Sequence, residues 1–317
     1  MALFDSTFLN VFFNILILIA AIGLLWKGAD ELVDSATRIA STFGISELVI
    51  GLTIVAFGTS APEFAVTLNA SLNGQADISV GNIVGSNIFN LGFIMGSVAI
   101  VKNIHANRTL VYRDGIFMIL VTFLLLGFFY DLHLERWEGI CLFSLLIMYL
   151  SFLFIKKESI DDDDDFHSIK ATWKDAIILP VTIGLVVLGG HLLVDSASLL
   201  ARSAGISEWV IAVTIVAAGT SAPEMATSLS AVLKGRHGMS AGNLIGSDLF
   251  NILGVLGIAG IVNPLVVNEE ALGSLVMLSG MVILVIIFLR TGWKLTRIEG
   301  IILFSIGLAR WVFDFMK

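Results

Sequence analysis

Charge is scarce in this chain of 317 residues: Asp, Glu, Lys and Arg together make up 14% of it, where a soluble globular protein carries about a quarter. Hydrophobic residues reach 57% and the mean hydropathy is +0.95. So many apolar groups cannot be hidden behind a water-facing surface, which excludes a soluble enzyme, a disordered chain and a collagen-like fibre. Cysteine occurs once, at Cys141, so no intrachain disulfide and no cysteine metal site is possible. The five histidines (105, 133, 167, 191 and 237) are scattered, with no HExxH and no paired spacing. The net charge is −8 and no Lys/Arg-rich run exists, so nothing is available to neutralise nucleic-acid phosphates. A cleavable leader is not expected either. The apolar run from Phe8 has no basic residue before it and no small-residue cleavage site, and it reads as a first span.

Solid apolar blocks run from end to end. They indicate a polytopic α-helical membrane protein in contact with lipid, not a β-barrel, which would alternate apolar and polar residues in short runs. The blocks predict ten helices near 8–41, 46–73, 79–101, 110–130, 136–156, 174–203, 207–233, 239–262, 271–290 and 296–316. Several exceed the ~20 residues needed to cross a bilayer, so tilted or broken helices are expected. A polar stretch at 157–173, with five consecutive aspartates from Asp161 to Asp165, separates a first half, 1–156, from a second, 174–317. Of the 18 Lys and Arg residues, thirteen fall on one side of this layout, four on the other, and Lys27 lies within the first helix. The positive-inside rule then puts the acidic linker in the cytoplasm and both termini outside.

The chain also resembles itself. LVDSA at 32–36 returns at 193–197, GISE at 44–47 at 205–208, TIVAFGTSAPE at 53–63 as TIVAAGTSAPE at 214–224, and GNIVGSNIFN at 81–90 as GNLIGSDLFN at 242–251. The offset is 161 each time. Each repeat holds five helices, an odd number, so the second enters the membrane from the opposite side. The expected fold class is therefore an all-α polytopic membrane protein of two inverted-topology five-helix repeats, an architecture of many secondary transporters.

The repeated motifs carry the chemistry. In Gly58-Thr59-Ser60-Ala61-Pro62-Glu63, and again in Gly219-Thr220-Ser221-Ala222-Pro223-Glu224, proline withholds an N–H and clashes with the carbonyl four residues back. Helices 2 and 7 are expected to break there and to leave the carbonyls near 56–59 unpaired, a condition a bilayer tolerates only beside protein, water or an ion. The i,i+3 and i,i+4 spacings turn Ser60 and Thr59 toward Glu63. The second motif adds Ser86 and Asn90, likewise Ser247 and Asn251. Glycines at 81, 85, 242 and 246 allow close helix approach. Every candidate ligand is a hard oxygen, a set suited to Na⁺ or Ca²⁺ and not to zinc or copper. A carboxylate at mid-membrane is costly unless paired. No Lys or Arg is expected at that depth, so a bound cation is the expected partner. Asn82 and Asn243 are expected to satisfy backbone at helix starts, Asp34 and Asp195 to be solvated or structural, and the aspartate run to be a solvated loop.

At GTSAPE and GNxxGSxxxN, each present in both halves, the chain resembles the sodium/calcium exchangers of the cation/calcium antiporter superfamily, in the form without a large regulatory loop. The resemblance covers nearly all ten helices. It implies export of Ca²⁺ in exchange for about three Na⁺ across the cell membrane by alternating access, with no cofactor beyond the transported ions. It implies Glu63 and Glu224 as central calcium ligands and backbone carbonyls from Thr59 and Thr220. Ser60, Ser86, Ser221 and Ser247, with the carbonyls of Ala56 and Ala217, would form flanking sodium sites, and Asn90 and Asn251 would complete the cluster. Asn251, where some relatives have Asp, resembles the potassium-independent branch, and with no third central acid no potassium requirement is expected. Asp248 departs from the usual neutral residue and is a peripheral ligand or a mouth-facing charge. A monomer is compatible with the sequence. The alternative transport reading is Ca²⁺/H⁺ or other divalent-cation/H⁺ exchange. A channel would need a continuous pore, and no nucleophile, base and orienter set suggests a membrane enzyme.

Overall fold

A computed structural model describes residues 2–156, 170–205 and 217–316. The aspartate run and the start of the second TIVAAGTSAPE motif lie outside the described residues. The first half consists of α1 (Ala2–Phe43), a bent segment of α2 (Glu47–Ile50), a π-helical turn (Gly51–Val55), α3 (Ala56–Thr59) and α4 (Ala61–Leu72), then α5 (Ala76–Phe89), a second π turn (Asn90–Ile94) and α6 (Met95–Val101), followed by α7 (Ile116–Phe128) and α8 (Arg136–Ile155). The second half contains α9 (Asp175–Ser203), α10 (Ala217–Thr220), α11 (Ala222–Leu233), α12 (His237–Leu249), a π turn (Phe250–Leu256), α13 (Gly257–Val262), α14 (Glu270–Arg290) and α15 (Arg297–Met316). Among the described residues, seven helices are long and apolar enough to cross a membrane, or eight when the bent pair is taken as one span.

Local chemistry explains the interruptions. Ser60 leaves helical geometry at φ −78°, ψ 8°, with Pro62 opening the next helix, where its missing N–H leaves no extra donor unpaired. The chain bends by 52° between the two pieces. Ser221 has nearly the same angles, φ −88° and ψ 8°, ahead of Pro223. Helix α8 opens on a capping box in which Glu138 accepts from the Glu135 N–H at 2.8 Å. Glu299 accepts from the Thr296 N–H at 2.7 Å at the start of α15. These two starts also lie 161 residues apart, in RWEGI at 136–140 and RIEGI at 297–301.

Contacts recur at the same offset. A Cβ on Gly28 would stand 2.8 Å from Val186 Cγ2, and one on Gly189 would stand 3.0 Å from Leu25, so α1 and α9 cross through matched positions. The carbonyl of Gly300 is 2.8 Å from where Gly96 would carry a Cβ, and the carbonyl of Gly257 is 2.7 Å from that of Gly139. Two short antiparallel pairs follow suit: β1 (Ile104–His105) with β4 (Lys294–Leu295), and β2 (His133–Leu134) with β3 (Leu265–Val266).

The motif-bearing spans sit at the centre. About three-quarters of the most apolar windows of Ala76–Val101 (72%) and His237–Val262 (78%) are buried inside the protein, against 17% for Val11–Phe43 and 28% for Asp175–Ser203. The last two turn most of their apolar surface outward. Helix α12 packs closely on the 47–55 segment through its glycines. A Cβ on Gly246 would lie 2.6 Å from Leu52 Cα, and one on Gly242 would lie 2.7 Å from the Leu48 carbonyl oxygen. No described atom lies within 4 Å of the equivalent point on Gly81 or Gly85; the segment equivalent to Leu48–Leu52 falls in 206–216, outside the described residues.

Candidate cation site

Glu63 and Glu224 begin the helices after the two breaks, in the first turns of α4 and α11, where the positive end of the helix favours a carboxylate. Both are buried, at 1% and 0% exposure. Ser60 Oγ donates to Glu224 Oε1 at 3.2 Å, and Ser221 Oγ donates to Glu63 Oε1 at 3.1 Å. Each serine therefore serves the glutamate of the other half, whereas the helical spacing pointed Ser60 to Glu63. The reason is the break itself: with ψ near 8° at Ser60, that residue leaves the register that would stack it on Glu63.

The hydroxyls of Thr59 and Ser247 also face the Glu224 carboxylate, and that of Thr220 faces Glu63. Thr59 Oγ1 donates to Asn243 Oδ1 at 3.2 Å and lies 3.4 Å from Ser247 Oγ. Ser86 is buried on α5, one turn before Asn90. The carbonyl of Ala56 is not left free as expected. It accepts from the Ser60 N–H at 3.0 Å and lies 3.3 Å from Thr59 Oγ1, because the helical ladder persists through Ser60, ahead of Pro62. Ala217 opens α10.

Asn82 and Asn243 reach across to the glutamate helices. Asn82 Nδ2 donates to the Glu63 carbonyl at 3.3 Å and to Thr67 Oγ1 at 2.9 Å. Asn243 Nδ2 donates to the Glu224 carbonyl at 3.4 Å and to Ser228 Oγ at 2.9 Å. They satisfy backbone, as expected, but on a neighbouring helix, and so pin the position of each glutamate.

A second layer joins the GNxxGSxxxN motifs. Asn90 Nδ2 donates to Asp248 Oδ1 at 3.0 Å, Asn251 Nδ2 donates to Asn87 Oδ1 at 3.0 Å, and Asn87 Nδ2 donates to the Asp248 carbonyl at 3.1 Å. All four residues are buried, Asp248 at 0% exposure. Asp248 is therefore not a mouth-facing charge but a third buried acid, hydrogen-bonded within this layer. Asn87 was not singled out from the sequence. Its place opposite Asp248 in the repeat was the signal available.

Half of the ten buried side-chain polar atoms without a hydrogen-bond partner among the described residues belong to these two layers: Glu63 Oε2, Glu224 Oε2, Asn90 Oδ1, Asn251 Oδ1 and Asp248 Oδ2. A buried acceptor with no donor costs about 1–3 kcal/mol, more when charged. Among the described residues the ion pairs lie elsewhere, such as Arg38 with Asp175 at 2.7 Å and Lys234 with Asp30 and Asp34 at 2.8 and 2.7 Å. Asp34 is therefore tied to α11's end, and Asp195 pairs with exposed His191 at 3.1 Å. Among the described residues no three His, Cys, Asp or Glu side chains converge as a metal cluster, so a cation here would rest on carboxylates supplemented by amide and hydroxyl oxygens. That donor chemistry fits a hard cation.

A sequence model of the sodium/calcium exchanger protein family matches residues 13–155 and 174–309. The chain is 37% identical over 302 residues to the putative antiporter CaxA of Alkalimonas amylolytica, covering 92% of this chain and 94% of the relative. It is 32% identical over 339 aligned positions to the sodium/calcium exchanger MaX1 of Methanosarcina acetivorans, covering 93% and 97%. A solved structure of the sodium-calcium exchanger NCX_Mj superposes with a TM-score of 0.83 at 29% identity, over 94% of this chain and 98% of that one. With family motifs, fold and buried oxygen cluster in agreement, the chain belongs to the sodium/calcium exchanger protein family and is a multi-pass membrane protein.

Proposed function

We propose that this chain is a secondary active antiporter exchanging about three Na⁺ for one Ca²⁺ across the cell membrane by alternating access, with Ca²⁺ extruded. The observation that carries the reading is the pair of buried glutamates, each held by the other half's serine and each keeping one carboxylate oxygen unpartnered, with no basic partner among the described residues. Glu63 and Glu224 serve as shared ligands. Ca²⁺ takes them with the carbonyls of Thr59 and Thr220 and the oxygens of Asn90 and Asn251. Na⁺ takes them with Ser60, Ser86, Ser221, Ser247 and the Ala217 carbonyl. The Ala56 carbonyl oxygen already accepts from the Ser60 N–H, so it would serve Na⁺ through its second lone pair. Sharing the glutamates makes the two loads mutually exclusive, and that exclusion is what turns binding into exchange.

The names carried by MaX1 and NCX_Mj support the choice of ions. The recurrence of contacts at an offset of 161 supports ten helices in two inverted five-helix repeats, broken at each GTSAPE, with halves at 1–156 and 174–317. The basic-residue asymmetry supports a cytoplasmic 157–173 linker and external termini. The test is purified protein in sealed vesicles. An imposed Na⁺ gradient should drive ⁴⁵Ca²⁺ uphill in the opposite direction. Flux driven by a proton gradient and indifferent to Na⁺ would replace this reading with Ca²⁺/H⁺ exchange.

A further inference from the structure

We infer that Asn87 and Asp248 are positioning residues that orient the carboxamides of Asn90 and Asn251 so that both present oxygen, and not nitrogen, to the transported cation. The inference rests on the antiport reading of the site and deepens it.

The argument is one of donors and acceptors. A backbone carbonyl can only accept, so the contact between Asn87 and the Asp248 carbonyl, at 3.1 Å, requires the Asn87 NH₂ there. Asn87 Oδ1 is thereby turned to Asn251, at 3.0 Å, and an oxygen facing Asn251 requires that residue's NH₂. The Asn251 oxygen is left pointing away, buried and without a donor. Asp248 Oδ1 takes the Asn90 NH₂ at 3.0 Å, and Asn90 Oδ1 is left buried and without a donor. A free carboxamide rotates its oxygen and nitrogen at little cost and would offer a cation either face. Here each amide is fixed by a residue from the opposite half.

The π turns make this possible. One begins at Asn90 and the other at Phe250, next to Asn251. A π turn re-aims side chains within an otherwise regular helix and is common at functional sites. Asn87 and Asp248 occupy equivalent places in the repeat, so the carboxylate at 248 is the one departure from matched arrangement. The inference is that its orienting acceptor is what the site uses, and that an amide would replace most of that role.

Four full-length proteins test this: wild type, Asn87→Leu, Asp248→Leu and Asp248→Asn. Each is measured by ⁴⁵Ca²⁺ binding in detergent and by Na⁺-driven Ca²⁺ flux in vesicles. Both leucine variants should raise the half-saturating Ca²⁺ concentration by about tenfold or more, the range typical of lost ligand orientation, while maximal flux changes much less. Asp248→Asn, which recreates the Asn87 side chain at the matched position, should fold and should recover most of the affinity lost in Asp248→Leu. If Asp248→Asn is as weak as Asp248→Leu, the carboxylate charge itself binds the cation and the positioning role is overturned. If Asn87→Leu binds Ca²⁺ like wild type, Asn251 needs no orienting partner and the inference fails there too. A wild-type protein that binds Ca²⁺ but shows no exchange overturns the antiport reading while leaving these binding comparisons valid.

Discussion

Ser60 gives its hydroxyl proton to Glu224, 164 residues away, and not to Glu63, three residues away. The matched bond from Ser221 to Glu63 completes a crossed pair. Each carboxylate takes a serine hydroxyl from the other half, so neither half completes the site alone.

This crossing predicts where energetic coupling lies. In a double-mutant cycle read by thermal unfolding in detergent, Ser60→Ala and Glu224→Ala should couple by about 1 kcal/mol, the net worth of a typical buried hydrogen bond. Ser60→Ala and Glu63→Ala should be close to additive. Coupling to Glu63 and not to Glu224 would mean the chain is not bent as described at Ser60.

Removing either carboxylate should stop exchange without unfolding the protein. Glu63→Ala or Glu224→Ala is expected to eliminate Ca²⁺ flux in vesicles, since losing a coordinating charge costs several kcal/mol of ion binding. Elution as a single species from size-exclusion chromatography should persist. Retention of more than about half the flux, against the order-of-magnitude losses such a change implies, would remove that glutamate from the site.

Close helix packing behind the site has its own test. Gly246→Val would place a Cβ 2.6 Å from Leu52 Cα, where only backbone movement can relieve the clash. A loss of roughly 1–3 kcal/mol of stability is expected, along with loss of Ca²⁺ binding. Gly280→Ala, in α14 with nothing within 4 Å of the new Cβ, should be neutral or should stabilise by up to about 1 kcal/mol. Unfolding midpoints of the two variants, measured side by side, separate packing from general intolerance of glycine replacement.

Voltage should drive the cycle. Over a full turn the fixed carboxylates cancel, Asp248 included, and the proposed exchange of about three Na⁺ for one Ca²⁺ would leave one positive charge moving with sodium. One charge across 100 mV is worth roughly 2.3 kcal/mol, so an inside-negative potential should accelerate Na⁺ entry coupled to Ca²⁺ exit. Flux in vesicles clamped at several potentials checks this. Indifference to voltage would indicate two Na⁺ per Ca²⁺.

Much of this was legible in the residues. Span positions follow from apolar runs that water cannot solvate. The breaks follow from Pro62 and Pro223, whose missing N–H acts within a single turn of its own helix. The choice of hard-oxygen ligands follows from which side chains recur at an offset of 161. The partners did not follow. Helical spacing sees only one helix, so it paired Ser60 with Glu63, left Asn87 unnoticed and left Asp248 as either a peripheral ligand or a mouth-facing charge. Those assignments depend on which helices cross at the centre, and Gly242 and Gly246 set that crossing by letting α12 meet the backbone of Leu48 and Leu52. The sequence by itself determined which oxygen-bearing side chains are candidates for the site and where the chain must break. Only the tertiary structure decided which half's donor meets which half's acceptor, because a hydrogen bond between residues some 160 apart depends on a three-dimensional approach that no local pattern encodes.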